Sequence, residues 1–346
     1  MREVPRAMNG MKVKIDPDDL YIVSGTVHPK LADETVKAMG LTLGPLNTKR
    51  FANSELYVQY DASVRGKHVI IIQTFAHDYK RNLSVNDALM ETMLLIDAAR
   101  RSSAREITVV IPYLGYSRQD RKAKGREPIS AAVVTHMLES AGAHRLVTID
   151  MHSPQVQGTF RGPFDHLIAE RLILEGLREE MADRDPELFA IVSPDTGRAK
   201  ESERAADILG VRLRHLQKTR DRHDSSKLVR PKRLQGVEGR ICIMTDDMID
   251  TAGTLLTAAE TLRKSGATGV IASATHALLS DPALDRLQDT AIDKLIVTDT
   301  VPVDYARKVL GDRLVVLPVA PLIADALREI ATGGSVSDLF GGRNYF

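Results

Sequence analysis

The chain contains one cysteine, no tryptophan and few aromatic side chains. A single cysteine, Cys242, excludes an intramolecular disulfide and a cysteine-based metal cage, and it fits a reducing compartment. No apolar run approaches the roughly 18 residues needed to cross a bilayer, and the N-terminus lacks the apolar core of a secretion signal. We therefore expect a cytoplasmic protein without a membrane partner.

Strong net charge is also missing, since 47 Lys and Arg residues balance 46 Asp and Glu residues. This balance gives no basic field for nucleic acid, so we predict no nucleic-acid partner. The G-x-x-x-x-G-K-[ST] motif of P-loop ATPases is absent, and no G-x-G-x-x-G follows the first predicted strand. These absences argue against a P-loop ATPase and against a dinucleotide-binding Rossmann enzyme.

Short apolar strands alternate with helical segments from residue 20 onward, which predicts an α/β fold with two doubly wound parallel sheets. The clearest helix is predicted over 87–101, because Leu89, Met93 and Ile96 share one face. Helices are also predicted over 130–141, with Ser130 as N-cap, and over 166–182. The first 18 residues show no periodicity and predict a loosely ordered tail.

Residues 240–254 concentrate acidic, hydroxyl and glycine residues behind a buried strand. The apolar run 241–244 predicts that strand, and we expect a tight turn and a helix start after it. The polar members are Asp246, Asp247, Asp250, Thr251, Gly253 and Thr254. Carboxylates there suit ribose hydroxyls or a Mg²⁺-bound diphosphate, and a helix start with hydroxyls suits a phosphate. Helix capping alone would need only one such residue, so the stretch predicts a sugar-phosphate site.

Polar residues follow other predicted strands as well. His152 and Asp195 could share Mg²⁺ or Mn²⁺ completed by water, although His152 taken alone fits a structural histidine. Arg118 and Gln119 offer a guanidinium for a triphosphate and an amide for a base, with a solvated loop as the alternative. Because ligands of open α/β sheets bind beyond the carboxyl ends of the strands, we expect these loops to converge.

Two further segments could contact a nucleotide. Lys218 and Arg220 begin a basic segment, 218–236, which could close over a triphosphate or could be a solvated linker. Phe51, Asn53 and Glu55 could flank a base through the ring, amide and carboxylate, although an ordinary half-buried strand fits them too.

Taken together, the motifs resemble those of the ribose-phosphate pyrophosphokinase (PRPP synthetase) family, and the 246–254 loop looks like the PRPP-binding loop of type I phosphoribosyltransferases. The matches are collinear and span about residues 20–342. They are residues 51–55 (FANSE), 111–120 (IPYLGYSRQD), 150–160 (DMHSPQVQGTF), 192–195 (VSPD), 218–220 (KTR) and 240–254 (RICIMTDDMIDTAGT).

This resemblance implies two doubly wound parallel-sheet domains of phosphoribosyltransferase type behind the tail 1–18. The first domain would cover 19–166 and be completed by 327–346, and the second would cover 167–326. The implied reaction converts ATP and ribose 5-phosphate into AMP and PRPP, which feeds nucleotide, histidine and tryptophan biosynthesis. The implied assembly is a homo-oligomer of dimers that form hexamers, with the ATP site at a subunit interface.

The resemblance also implies a role for individual residues. ATP would be bound by Phe51, Asn53 and Glu55 of a neighbouring subunit together with Arg118 and Gln119. Mg²⁺ would lie at His152 and Asp195, and the catalytic cations would be Lys218 and Arg220. Ribose 5-phosphate would be held by Asp246, Asp247, Asp250, Thr251, Ala252, Gly253 and Thr254. Parts of a regulatory site for phosphate and ADP are matched by Arg126, Ser335 and Ser337.

Two alternatives remain open at this point. A phosphoribosyltransferase that consumes PRPP would need a base-binding hood and would not need the loops around Phe51 and Arg118. A non-catalytic regulator associated with PRPP synthetase would be expected to have lost catalytic or metal-binding residues, yet Lys218, His152 and Asp195 are present.

Overall fold

The computed structural model describes residues 16–193, 199–216, 234–288 and 291–341. In these ranges the strands are β1 (Leu20–Ser24), β2 (Leu46–Arg50), β3 (Leu56–Tyr60), β4 (His68–Ile72), β5 (Glu106–Ile111), β6 (Arg145–Ile149), β7 (Phe164–Leu167), β8 (Phe189–Ser193), β9 (Arg212–His215), β10 (Ile241–Ile249), β11 (Gly269–Ala277), β12 (Lys294–Thr298) and β13 (Leu314–Leu317). The α-helices are α1 (Pro29–Met39), α2 (Val85–Arg101), α3 (Ser130–Ala141), α4 (Glu170–Met181), α5 (Ala199–Leu209), α6 (Gly253–Lys264), α7 (Ala283–Gln288), α8 (Asp304–Leu310) and α9 (Ala320–Thr332).

The strands form two parallel sheets and one small hairpin. The first sheet has the order β1-β4-β5-β6-β7, and the second has the order β13-β12-β11-β10-β8-β9. Strands β2 and β3 pair only with each other, antiparallel. Every residue of β4 and of β11 is buried, as expected for parallel strands covered on both faces. The predicted α/β class with parallel sheets is confirmed.

Helices cover both faces of the first sheet, and the alternation of side chains along β4 shows how. Val69 and Ile71 pack with α2 and α3 on one face, whereas Ile70 and Ile72 pack with α1 and α9 on the other. Successive strand residues point to opposite faces, so one apolar run supplies two cores. The second sheet repeats this plan, with α6, α7 and α8 on one face and α4 and α5 on the other.

The end of the described chain returns to the first sheet. In α9, Ile323 and Leu327 are fully buried in the same cluster as Leu31 of α1 and Ile22 of β1. The packing of α9 therefore joins the two ends of the sequence in one hydrophobic core.

Three local predictions are wrong. Residues 164–167 form β7, and the helix predicted from 166 begins only at Glu170. This edge strand is four residues long and half-buried, so it lacks a clear alternation. Ser130 is the first residue of α3 and not its N-cap. The strand of the acidic stretch continues to Ile249, because the equally long β11 pairs with it, and so Asp246 and Asp247 lie in β10 and not in a turn.

Within the described ranges, no helix is long and apolar enough to cross a membrane.

The buried face of α9 makes a stability prediction. Leu327→Ala should lower the free energy of unfolding by about 2–5 kcal/mol, because it leaves a cavity in a core that joins α1, β1 and α9. Denaturant unfolding measures this change. Leu188→Ala is the matched control, since Leu188 is 45% exposed and its truncation should change stability by less than about 0.5 kcal/mol. Equal losses in the two variants would contradict the packing described for α9.

Candidate active site

The two sheets meet where β6 of the first sheet and β10 of the second sheet present their carboxyl ends. His152, three residues beyond β6, places Nδ1 2.6 Å from Oδ2 of Asp247 in β10. The His152 side chain is 46% exposed, whereas that of Asp247 is only 8% exposed. The predicted metal ligand and a predicted ribose ligand are therefore in direct contact.

Arg118 makes a second bridge between the two sheets. Its Nη1 donates to Oδ2 of Asp250 at 2.6 Å, and its Nε lies 2.9 Å from the sulfur of Met248. Partial burial acts to lower the pKa of Arg118, but the hydrogen bond to Asp250 and nearby negative charge raise that pKa above its ordinary value. Burial acts to raise the pKa of Asp250, but hydrogen bonds from Ser280 and Arg118 leave it below its ordinary value. The pair is therefore ionised at neutral pH.

Between these bridges lies a cleft of about 430 Å³. Arg118 and His152 line it from the first sheet. From the second half, all seven predicted ribose-phosphate residues line it, in β10, the turn after it and the start of α6. They are Asp246, Asp247, Asp250, Thr251, Ala252, Gly253 and Thr254. A guanidinium and an imidazole from one half thus face carboxylates and a helix start from the other half.

The start of α6 is suited to bind an anion. Ala252 precedes the helix in the left-handed conformation, with φ 59°, and no side chain caps the first backbone N–H groups. Uncapped N–H groups and the helix dipole favour a negative group at this end. The carbonyl of Thr251 is held by Arg286, which donates to it at 2.8 Å. The turn is therefore fixed where it lines the cleft.

The predicted base-binding residues lie elsewhere, in the turn between β2 and β3. Phe51 is 47% exposed and packs edge-on against Tyr57, with the ring centroids 6.1 Å apart. Asn53 and Glu55 are exposed in the same turn, and the hairpin is tied to α2 by a 3.0 Å contact between Arg50 and Asp87. In the described part of the chain, none of the three predicted residues contacts the cleft.

The remaining predicted residues are scattered. Gln119 accepts a hydrogen bond from the Ser130 hydroxyl. Arg126 is exposed with φ 69°, in a turn whose backbone N–H groups donate to Glu127. Ser335 and Ser337 are exposed after α9, where the backbone N–H of Ser335 donates to Glu329 at 3.0 Å.

Asp195, Lys218 and Arg220 lie outside the described residues, and their roles stay predictions. Across the described ranges, no group of three or more His, Cys, Asp or Glu side chains is arranged as a complete metal cage. Of the two predicted metal ligands, His152 is described, and its Nδ1 lies against Asp247. One imidazole with a nearby carboxylate suits a hard divalent cation that keeps waters and takes further oxygen ligands from phosphate.

Sequence reasoning missed several polar residues behind the cleft. The carboxylate of Asp150, the residue that directly follows β6, accepts the Thr275 hydroxyl at 2.5 Å and the Ala169 N–H. His166 accepts the N–H of Met151 at Nε2, 2.8 Å away, and burial lowers the pKa of His166 to about 4. The one available signal was the presence of polar residues near the ends of apolar strands.

Two parallel sheets with helices on both faces, and an acidic strand that leads into an uncapped helix start, define the phosphoribosyltransferase type of α/β protein. Residues 20–142 match the family model described as the N-terminal domain of ribose phosphate pyrophosphokinase, and residues 223–341 match the phosphoribosyl synthetase-associated domain. The chain belongs to the ribose-phosphate pyrophosphokinase family.

Full-length relatives agree with this assignment. The chain is 40% identical to a ribose-phosphate pyrophosphokinase of Streptomyces coelicolor, over 96% of this chain and 99% of the relative. It is 42% identical to that of Bifidobacterium longum, over 94% and 93% of the two chains. The crystal structure of phosphoribosylpyrophosphate synthetase from Mycobacterium smegmatis superimposes with a TM-score of 0.81 at 41% identity, covering 91% of this chain and 100% of that one.

The buried imidazole of His166 predicts a pH dependence. Its pKa is about 4 in the fold against 6.5 for an ordinary histidine, so the unfolded chain binds more protons between those values. Stability should be fully present above pH 6.5 and fall as the pH drops to 4, by up to about 3 kcal/mol from this group. In His166→Gln, denaturant unfolding over this range should show a smaller loss than in the wild type.

The control for this experiment is His136→Gln, because His136 is exposed on α3. His28, whose pKa burial also lowers to about 4, adds to the wild-type dependence and remains in both variants. If the stability of His166→Gln depended on pH as that of the wild type does, the lowered pKa of His166 would be contradicted.

Proposed function

We propose that this chain transfers the β,γ-diphosphoryl group of ATP to the C1 hydroxyl of ribose 5-phosphate, forming AMP and PRPP. The observation that carries the proposal is the 2.6 Å contact between His152 and Asp247. The contact supports the proposal because it joins the loop after β6, which suits a metal-bound triphosphate, to β10, which leads into a helix start that suits a sugar phosphate. Membership of the ribose-phosphate pyrophosphokinase family supports the same reaction.

The ribose half of the site lies on β10 and α6. Carboxylates accept hydrogen bonds from sugar hydroxyls, so Asp246 and Asp247 would hold the 2- and 3-hydroxyls. The 5-phosphate would lie at the start of α6, where Thr251, Gly253 and Thr254 line the cleft. In this arrangement the C1 hydroxyl would point towards the loops of the first sheet.

The nucleotide half lies on those loops. Arg118 is charged and lines the cleft, and a triphosphate would compete with Asp250 for its guanidinium. The oxygen of the C1 hydroxyl attacks the β-phosphorus and loses its proton, while the bond from that phosphorus to the α,β-bridging oxygen breaks. AMP leaves with the electron pair of that bond. Lys218, Arg220 and Arg118 would face the charge that develops during the transfer.

We propose Mg²⁺ as the divalent metal, with His152 and Asp195 as protein ligands. When bound, the ion would neutralise phosphate charge and align the nucleotide. The His152 side chain is held at the cleft by Asp247, so its orientation is set before the metal arrives.

The hairpin turn supports a shared site in a homo-oligomer. Phe51, Asn53 and Glu55 are exposed and make no contact with their own cleft among the described residues. We propose that they bind ATP at the cleft of a neighbouring subunit, together with Arg118 and Gln119, within dimers that assemble into hexamers. The exposed Arg126, Ser335 and Ser337 are proposed to bind a regulatory anion.

The proposed division of the chain is a first domain of 19–166 completed by 327–346 and a second domain of 167–326. The first proposed domain contains nearly all of the first parallel sheet, and the second contains all of the second sheet, which supports the proposal. A cytoplasmic location fits the single buried cysteine.

A product assay tests the reaction. The protein incubated with Mg²⁺, ATP and ribose 5-phosphate should yield AMP and PRPP in equal amounts, measured by chromatography. ADP as the product would indicate an ordinary sugar kinase, and absence of product would favour the non-catalytic regulator. Formation of a nucleoside monophosphate and pyrophosphate from added PRPP and a free base would favour a phosphoribosyltransferase.

Complementation tests the shared site. Phe51→Ala and Asp246→Asn should each lower turnover by at least ~10²-fold, because each removes one half of every site. When the two variants are co-expressed, random pairing within dimers should restore about a quarter of wild-type turnover, since some interfaces join an intact turn to an intact cleft. Co-expression of Phe51→Ala with Asn53→Ala is the control and should restore nothing. Failure of the first pair to recover would contradict a turn that acts across the interface.

A further inference from the structure

Strand β11 carries two buried polar residues at the end that faces the first sheet. Thr275 is 4% exposed and His276 is 1% exposed, and both contact the chain just beyond β6. The Thr275 hydroxyl donates to Oδ2 of Asp150 at 2.5 Å. Nε2 of His276 lies 3.1 Å from the carbonyl oxygens of both Ile149 and Asp150. The second sheet thus contacts both the backbone of the loop after β6 and the side chain of Asp150.

The orientation of His276 follows from its partners. Carbonyl oxygens only accept hydrogen bonds, so Nε2 carries the hydrogen and donates. Nδ1 then accepts from the Thr300 hydroxyl, 2.9 Å away. The ring also packs against Tyr113, with the ring centroids 4.9 Å apart. With both nitrogens engaged and one face covered, the imidazole has a single orientation.

Asp150 adopts a backbone conformation that needs this support. Its φ of 37° is positive, which costs free energy for a residue with a side chain. Its carboxylate also accepts the N–H of Ala169 at 3.2 Å, which closes the loop on the start of α4. The Thr275 hydroxyl connects this carboxylate to the second sheet.

The contacts of Thr275 and His276 with Asp150 form a polar junction between the two sheets, and this junction lies beside the cleft. In the pairing of β10 with β11, Asp246 lies opposite Ala274 and Met248 lies opposite His276. Asp247 and Thr275 are therefore neighbours, and they contact His152 and Asp150, which are two residues apart. A loosened Asp150 would carry His152 away from Asp247.

We propose that Thr275 and His276 are positioning residues that hold Asp150 and thereby set His152 against Asp247. Their consequence for catalysis rests on the proposed function, because they would align the nucleotide half of the cleft with the ribose half. Transfer between two bound substrates is sensitive to such alignment, and a shift of about 1 Å can cost ~10²-fold in rate.

Thr275→Val tests the inference, because it removes the hydroxyl and keeps the shape. We expect kcat for PRPP formation to fall by at least ~10-fold. KM for ribose 5-phosphate should change little, since its proposed ligands lie on β10 and α6. Thr275→Ser keeps a hydroxyl and should restore kcat.

Hydrogen exchange measured by mass spectrometry gives a readout that does not depend on turnover. The amides of Ala169 and Met151 should exchange faster in Thr275→Val, because the first donates to Asp150 and the second lies between Asp150 and His152. Both amides should keep wild-type protection in Thr275→Ser.

The matched control is Thr35→Val, which removes another buried hydroxyl that donates to the Leu31 carbonyl at 2.8 Å in α1. It should leave kcat and the exchange of both amides unchanged. Wild-type kcat and exchange in Thr275→Val, or equal changes in the two variants, would overturn the inference. If the wild type forms no PRPP, the proposed function fails, whereas the exchange measurement still decides whether Thr275 holds the loop.

Discussion

The contact between His152 and Asp247 is the constraint on which the cleft depends. It joins the loop after β6 to the interior of β10, and so it sets the distance between the two sheets at the point where their carboxyl ends meet. Because Asp247 is nearly buried, its carboxylate needs a hydrogen-bonding partner, and His152 of the opposite half provides one. The Arg118–Asp250 pair repeats this arrangement a few residues away, and the cleft lies between the two bridges.

Both bridges pair a cation or an imidazole with a carboxylate that the sequence assigns to ribose binding. Substrates bring anionic phosphates and neutral hydroxyls. On binding, phosphate oxygens would replace the carboxylates as partners of Arg118 and His152, and sugar hydroxyls would become partners of the carboxylates. The cleft is thereby formed in advance. The polar junction of Thr275, His276 and Asp150 lies directly behind the cleft. Its role is to hold the loop after β6 and not to bind substrate.

The placement of the β2–β3 hairpin shows how the chain separates binding tasks. Its turn carries an exposed aromatic ring, and the contacts of the turn in the described chain are to its own strands and α2. A site completed by a second copy would couple assembly to catalysis.

Periodicity and composition were enough to predict the classes of element and the chemistry of the loops. The apolar run at 241–244 predicted the central strand, the face shared by Leu89, Met93 and Ile96 predicted α2, and the clustered acids and threonines predicted the sugar-phosphate stretch. These features depend on periodicity and composition within a few residues. The extension of β10 through Asp246 and Asp247 depends on strand pairing in the folded chain, because the length of its partner β11 sets that limit. The folded chain alone also shows which loops touch, since His152 meets Asp247 across 95 residues and Asp150 meets Thr275 across 125, and local spacing carries no information about contacts between chain segments that far apart.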